Sequence, residues 1–186
     1  VNEAHNTPEA VSGKAASAPL QPLKELTIGT TTLTLAHAYD KLAQRHEEWV
    51  KTDSLSLDDV AAWLAQQHKH EFPPQLRPSD KRRLFAHVAT TRSTRTIHLH
   101  SSLSLPMDPQ ALDVVISVNI WTQQNGKKEV ALWADIGFRA EKTKDGSHFW
   151  FGGTLNKSQG KWTLTASTEL QSGIPLTSLT NALGLT

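Results

Sequence analysis

The sequence predicts an α+β fold: a twisted antiparallel β-meander of about six strands, with short amphipathic helices packed on one side. Three observations carry this reading. Residues 112–170 are runs rich in β-branched and aromatic side chains, separated by turn signals at Asn125-Gly126, Asp145-Gly146 and Gly160. Within these runs apolar residues alternate with a period of two, as they do on a half-buried strand. Residues 57–67 instead place Val60, Ala61 and Leu64 on one helical stripe behind a serine.

In chain order, residues 1–22 read as a linker of Ala, Ser, Pro and polar residues with no sustained period. Order is expected to begin near Leu23. Leu26–Ala38 alternates and is Thr-rich, which predicts one or two strands bent at Gly29. Tyr39–Val50 fits two templates, a helical stripe or a wide hairpin loop entering a strand at Trp49–Asp53, and the strand is favoured. Leu57–Gln67 is the firmest helix. Ser56 caps it, Asp58 and Asp59 oppose the macrodipole in its first turn, and Phe72-Pro73-Pro74 follows it.

Residues 73–82 form a connector. Leu84–Ala89 and Thr94–Leu105 follow as strands, the second with Ile97, Leu99, Leu103 and Leu105 inward and ended by Pro106 and Pro109. Four more strands are expected at Val114–Trp121, Glu129–Phe138, His148–Leu155 and Lys161–Leu170. Register between the first two of these is testable. A three-residue loop at Gln124–Gly126 sets Ile120 against Val130, Val118 against Leu132 and Ile116 against Ala134. A slip of one residue turns the apolar set outward, so burial selects this register and requires Gly126 to be left-handed.

Two ends of the chain share a pattern. Leu55-Ser-Leu57-x-x-Val60-x-x-x-Leu64 matches Ile174-Pro-Leu176-x-x-Leu179-x-x-x-Leu183, each behind a Trp-led segment. This predicts a strand, a hook and a capped helix in two copies. The chain then divides into a disordered linker (1–22), the tail of one repeat unit (23–72) and a main meander with a C-terminal helix at 176–184 (73–186).

Composition narrows the function. Charge is nearly balanced, 19 Lys+Arg against 18 Asp+Glu, so nothing drives the chain globally toward nucleic acid. The basic set Lys81, Arg82, Arg83, Arg92 and Arg95 lacks interleaved aromatics and a groove-entering helix, and reads as a solvated strand pair. Without cysteine there are no disulfides or thiolate metal sites. No apolar run is long enough to span a bilayer as a helix, no targeting signal is visible, and no compartment is assigned. Val1 in place of an initiating Met reads as a processed product or a piece of something longer.

Chemistry-bearing motifs are few. There is no nucleophile elbow, and Gly152-Gly153 is followed by Thr-Leu rather than Lys-Ser/Thr, so no phosphate cradle forms and no cofactor is expected. Those two glycines are read as allowing a bend or close packing of a Trp. Asp58-Asp59 and Glu47-Glu48 read as helix-start and adjacent carboxylates, and catalysis is disfavoured. Six Trp against one Tyr is the unusual number. Trp121, Trp133 and Trp150 fall on the strand face opposite the apolar set, beside Asn119, Asp135 and His148. A helix or neighbouring domain covering this face is the plain expectation, and an aromatic platform for a ligand the sharper one. His98 and His100 share a strand face at a metal-ligand spacing, with Asp135 or His148 as third ligand; two solvent-facing histidines are the plainer reading.

The expectation is thus a non-catalytic structural or protein-interaction module of a larger assembly, with other protein domains or neighbouring repeat units as partners. The alternative is a carbohydrate- or apolar-ligand-binding β-domain. It would use Trp121, Trp133, Trp150, Asn119 and Asp135, or a sheet–helix cavity lined by Ile116, Val118, Leu132 and Ile136.

Overall fold

The computed structural model describes residues 18–106, 111–139 and 148–167. Its frame is one open, wholly antiparallel sheet. The strands are β3 (Ala36–Asp40), β4 (Arg45–Ser56), β5 (Lys81–Thr90), β6 (Thr94–Pro106), β7 (Ala111–Gln123), β8 (Lys128–Arg139), β9 (His148–Ser158) and β10 (Lys161–Ser167). Each strand pairs with its sequence neighbours, so the order across the sheet is the order of the chain. Ahead of it stands a separate hairpin, β1 (Glu25–Ile28) and β2 (Thr31–Thr34), turned at Gly29 with a φ of +59°. One helix, α1 (Leu57–His68), and one 3-10 turn, Pro74–Leu76, complete the described residues.

Alternation decides the two faces, and the inner face is the core. Leu84, Ala86 and Val88 of β5 lie beside Leu99 of β6, Val114, Ile116, Val118 and Ile120 of β7, and Leu132 and Ala134 of β8, all buried. Leu26, Ile28, Leu33 and Leu35 of the hairpin join them, with Leu57, Val60, Ala61, Trp63 and Leu64 of α1 and Phe72 beyond it, in one continuous cluster. The sheet–helix cavity expected along Ile116, Val118 and Leu132 is therefore filled by protein. These three side chains keep 1%, 2% and 1% of their surface exposed.

Local rules place α1 where it covers this face. A bulge between Thr52 and Leu55 shifts the register of β4, whose pairing resumes at Leu55–Arg82, and turns Leu55 and Ser56 into the core. The Ser56 hydroxyl accepts the Asp59 N–H at 3.0 Å, and the Asp59 carboxylate accepts the Ser56 N–H at 2.8 Å, a full capping box. Lys69 closes the other end in a left-handed conformation, its N–H bonded to the Leu64 carbonyl.

The β7–β8 hairpin has the register that burial selects: Ile120 faces Val130, Val118 faces Leu132 and Ile116 faces Ala134. The Gln123 N–H reaches the Lys127 carbonyl at 2.8 Å, and Gly126 has a φ of +83°. Residues 39–50 are the hairpin form of the two templates, β3, a loop and the start of β4.

The structure bears on four expectations. The sheet has eight strands rather than about six, because β3 and β4 extend the same meander. The proposed division at 72/73 is bridged by the β4–β5 ladder. The two Trp-led segments of the repeat pattern are both strands, β4 and β10, but Trp49 lies outward while Trp162 packs toward the core; the second helix, 176–184, lies outside the described residues, as does Asp145-Gly146. The basic set is split along β5: Lys81, Arg82 and Arg83 open that strand, whereas Arg92 and Arg95 sit at the hairpin after its far end.

Candidate functional site

The outer face of the sheet is the unusual surface. α1 and the β1–β2 hairpin belong to the core on the opposite side, so no described element covers it. Four tryptophans lie here, Trp49 on β4, Trp121 on β7, Trp133 on β8 and Trp150 on β9, each 40–42% exposed. The helix or domain expected over this face is absent among the described residues.

Register gives their arrangement. Trp121 faces Glu129, four residues before Trp133 on β8. Trp133 faces Thr154, four residues after Trp150 on β9. Each step therefore moves one strand across and four residues along, about 14 Å. The three rings form a diagonal row roughly 29 Å long. Between them lie small or short side chains: Ser117, Asn119, Ala131, Gly137, Gly152 and Thr154. Two of these are shaped by their neighbours. A Cβ on Gly137 would stand 2.9 Å from the Trp150 ring, which lies against the glycine. A Cβ on Gly152 would collide with the Asp135 carboxylate, which is turned toward β9. The close packing at Gly152 thus involves Asp135, and the Trp contact falls on Gly137.

A histidine cluster occupies the middle of the same face. His98 and His100 share it, as their spacing requires, with ring centroids 5.4 Å apart. His87 is directly opposite His98, and its Nε2 lies 2.5 Å from the Glu47 carboxylate. Burial, then His100 and His87, hold the His98 pKa below its usual value, and burial lowers that of His100. Both rings are therefore predominantly neutral at neutral pH. Asp135 is two strands away from β6, and the His148 side chain lies outside the described residues. Among the described residues no group of three His, Cys, Asp or Glu is arranged to hold a metal ion.

Beside the histidines the outer face dips into an open groove of about 570 Å³. Phe85 and Val115 make its apolar floor, with His100 and Ser102 between them and Lys51 and Arg83 at the β4–β5 end. Phe85 and His100 pack with centroids 5.0 Å apart.

A second polar cluster lies on the inner face near β3. Glu48 is fully buried, with His37, His46 and Arg95 around it. Thr90 donates to one carboxylate oxygen at 3.5 Å, while Oε1 has no partner. Burial raises the Glu48 pKa, and the surrounding positive charge and Thr90 offset part of that rise.

Sequence reasoning placed Trp121, Trp133, Trp150, Asn119 and Asp135 on this face but missed Trp49, Phe85, His87 and the groove. Alternation through Glu48-Trp49-Val50-Lys51 carried the signal for Trp49. Seeing the groove requires knowing that β4, β5, β6 and β7 are adjacent.

No family model matches the chain, and neither the curated proteins nor the solved structures yielded a match. Among the described residues no helix is long and apolar enough to cross a membrane.

Proposed function

We propose that the chain is a non-catalytic protein-interaction module whose outer sheet face docks against another folded domain. The observation that carries this is the diagonal row Trp121–Trp133–Trp150. Tryptophan is the residue most often found as a binding hot spot, because one side chain offers a large rigid apolar area at low entropic cost. Its length, roughly 29 Å, is close to the width of a standard interface of about 800 Å² per partner. The hollows between the rings, floored by Ser117, Ala131 and Gly137, suit protruding side chains from a partner.

Carbohydrate binding is the second reading. It is favoured by Asn119, whose amide has no hydrogen bond among the described residues, and by Asp135 beside Trp133. At about 14 Å the indoles stand too far apart for two of them to stack on one sugar ring, which is why the protein reading is preferred.

Site-specific photocrosslinking tests the choice. A crosslinking residue in place of Ser117 or Thr154 is expected to capture a single protein chain, with capture lost in Trp133→Ala. Capture of glycan only, or protein capture indifferent to Trp133, refutes the interaction reading.

A further inference from the structure

We propose that the outer-face groove between β4 and β7 is a binding site for one molecule of an anionic amphiphile. An acyl or alkyl chain would lie across the strands, and a carboxylate or phosphate head would be held by Lys51 and Arg83. This goes beyond the interaction reading, because it assigns a small-molecule ligand to the β4–β6 side of the face, meeting the docking row only at Ser117 and Trp133.

Charge is the first argument. Lys51 and Arg83 both border the groove at its β4–β5 end, and neither pairs with a carboxylate among the described residues. Nearby cations elsewhere are paired: Arg45 with Glu47 and Arg82 with Asp80. Two unneutralised cations beside an apolar floor make a head-group site, since an anion gains both charges and its tail avoids water. Asp135, the nearest outer-face carboxylate beyond Val115, is turned away toward Gly152 of β9.

Length is the second. The register aligns Lys51, Phe85, His100, Ser117 and Trp133 in a single row perpendicular to the strands. From Lys51 to Trp133 is four strand spacings, about 19 Å. One bilayer leaflet, tail and head together, is about 20–22 Å thick. A single extended amphiphile therefore reaches from the cations to the indole. The groove volume also lies within the range of about 300–1,000 Å³ usual for small-molecule sites.

The wall chemistry agrees. Phe85 and Val115 are apolar, and the Trp133 ring lies beyond the groove in the same row. The half-buried, neutral His100 packed on Phe85 adds a flat surface without charge.

Titration calorimetry and Trp emission on the full chain test the proposal. The probes are oleate and dodecyl phosphate below their micelle concentrations, with dodecanol, inorganic phosphate and anionic phospholipid vesicles as separate arms. Saturable single-site binding of oleate or dodecyl phosphate is expected. Lys51→Ala/Arg83→Ala should weaken it by about tenfold or more. Val115→Trp, which fills the floor, should abolish it. Both variants change groove side chains outside the core, and circular dichroism checks their folding. A bound tail should shift emission in wild type and not in Trp133→Phe.

The proposal fails if neither amphiphile binds, or if the cation variant binds as wild type does. It also fails if dodecanol or free phosphate binds as tightly as the amphiphiles, or if vesicles bind while monomers do not. Loss of protein crosslinking with amphiphile binding intact would overturn only the interaction reading, so the two fail separately.

Discussion

The two faces of one strand differ more than any two distant parts of the molecule. Along β8, Leu132 and Ala134 are each 1% exposed, while Trp133 between them is 41% exposed. The inner residues meet the hairpin and α1, so their apolar character is used by the fold itself. The outer residue is larger and more apolar than folding requires. An outer face in water satisfies stability with Thr, Lys and Glu. Four half-open indoles in its place indicate a demand other than stability, and so the functional reading rests there.

The sharpest way to break this comparison is to truncate both neighbours. Leu132→Ala removes a fully buried side chain and is expected to cost about 2–5 kcal/mol. Trp133→Ala, although it deletes more atoms, is expected to cost less than about half of that, because its ring is partly in water. Urea unfolding of the two variants measures both. Equal losses would mean that the outer indoles belong to the folding core.

Acid separates the faces next. Burial lowers the pKa of His98 and His100 on the outer face, and of His68 and His70 at the end of α1, from 6.5. The folded state then binds fewer protons than the unfolded chain, so the stabilisation present above pH 6.5 is lost as pH falls through the folded values. Glu48 on the inner face acts oppositely. Its raised pKa means the folded state takes up a proton before the unfolded chain does, so stability rises as pH falls toward 4.5. Stability should therefore decline below pH 6.5, and Glu48→Gln should make the decline steeper by removing the opposing gain. Unfolding free energies at a series of pH values between neutral and 4.5 test this. A profile unchanged in Glu48→Gln would show that the buried carboxylate does not titrate there.

What the sequence made legible follows the same division. Inner-face alternation fixed the β7–β8 register and the Gly126 turn, because only one register buries Ile116, Val118 and Ile120 together. The start of α1 was readable from Ser56, since capping acts locally, whereas Pro73 only bounded its end, which the left-handed Lys69 sets. The strand total was not, because β3 is largely exposed and its residues fit a helical stripe as well as a hairpin. Glu48 escaped notice because a carboxylate beside Glu47 resembles solvated charge until pairing brings His37 of β3 and Arg95 of β6 against it beside its own-strand neighbour His46. The groove was invisible for the same reason, being built from one to three residues on each of four strands.

A smaller effect tests the local rule that seats the core's lid. Ser56→Ala removes the hydroxyl acceptor of the capping box and should cost about 1 kcal/mol. Thermal unfolding should show the loss, and the outer-face Trp quenching should remain as in wild type. A change in that quenching would mean that the helix reports through the sheet to the other face.

The smallest expected stability change is the most informative about the outer face. In Gly137→Ala the new Cβ falls 2.9 Å from the Trp150 ring, closer than such contacts are found, so the indole must swing off the sheet. The ring is already 42% exposed, so moving it should cost less than about 1 kcal/mol. Its accessibility should rise all the same, and a neutral quencher should reach it more readily than in wild type. The row Trp121–Trp133–Trp150 would lose one end while the core stayed intact. If the row is the docking surface, crosslinking from the Thr154 position should fall with no matching loss of stability. Undiminished crosslinking would place the contact on Trp121 and Trp133 alone and shorten the surface to half its length.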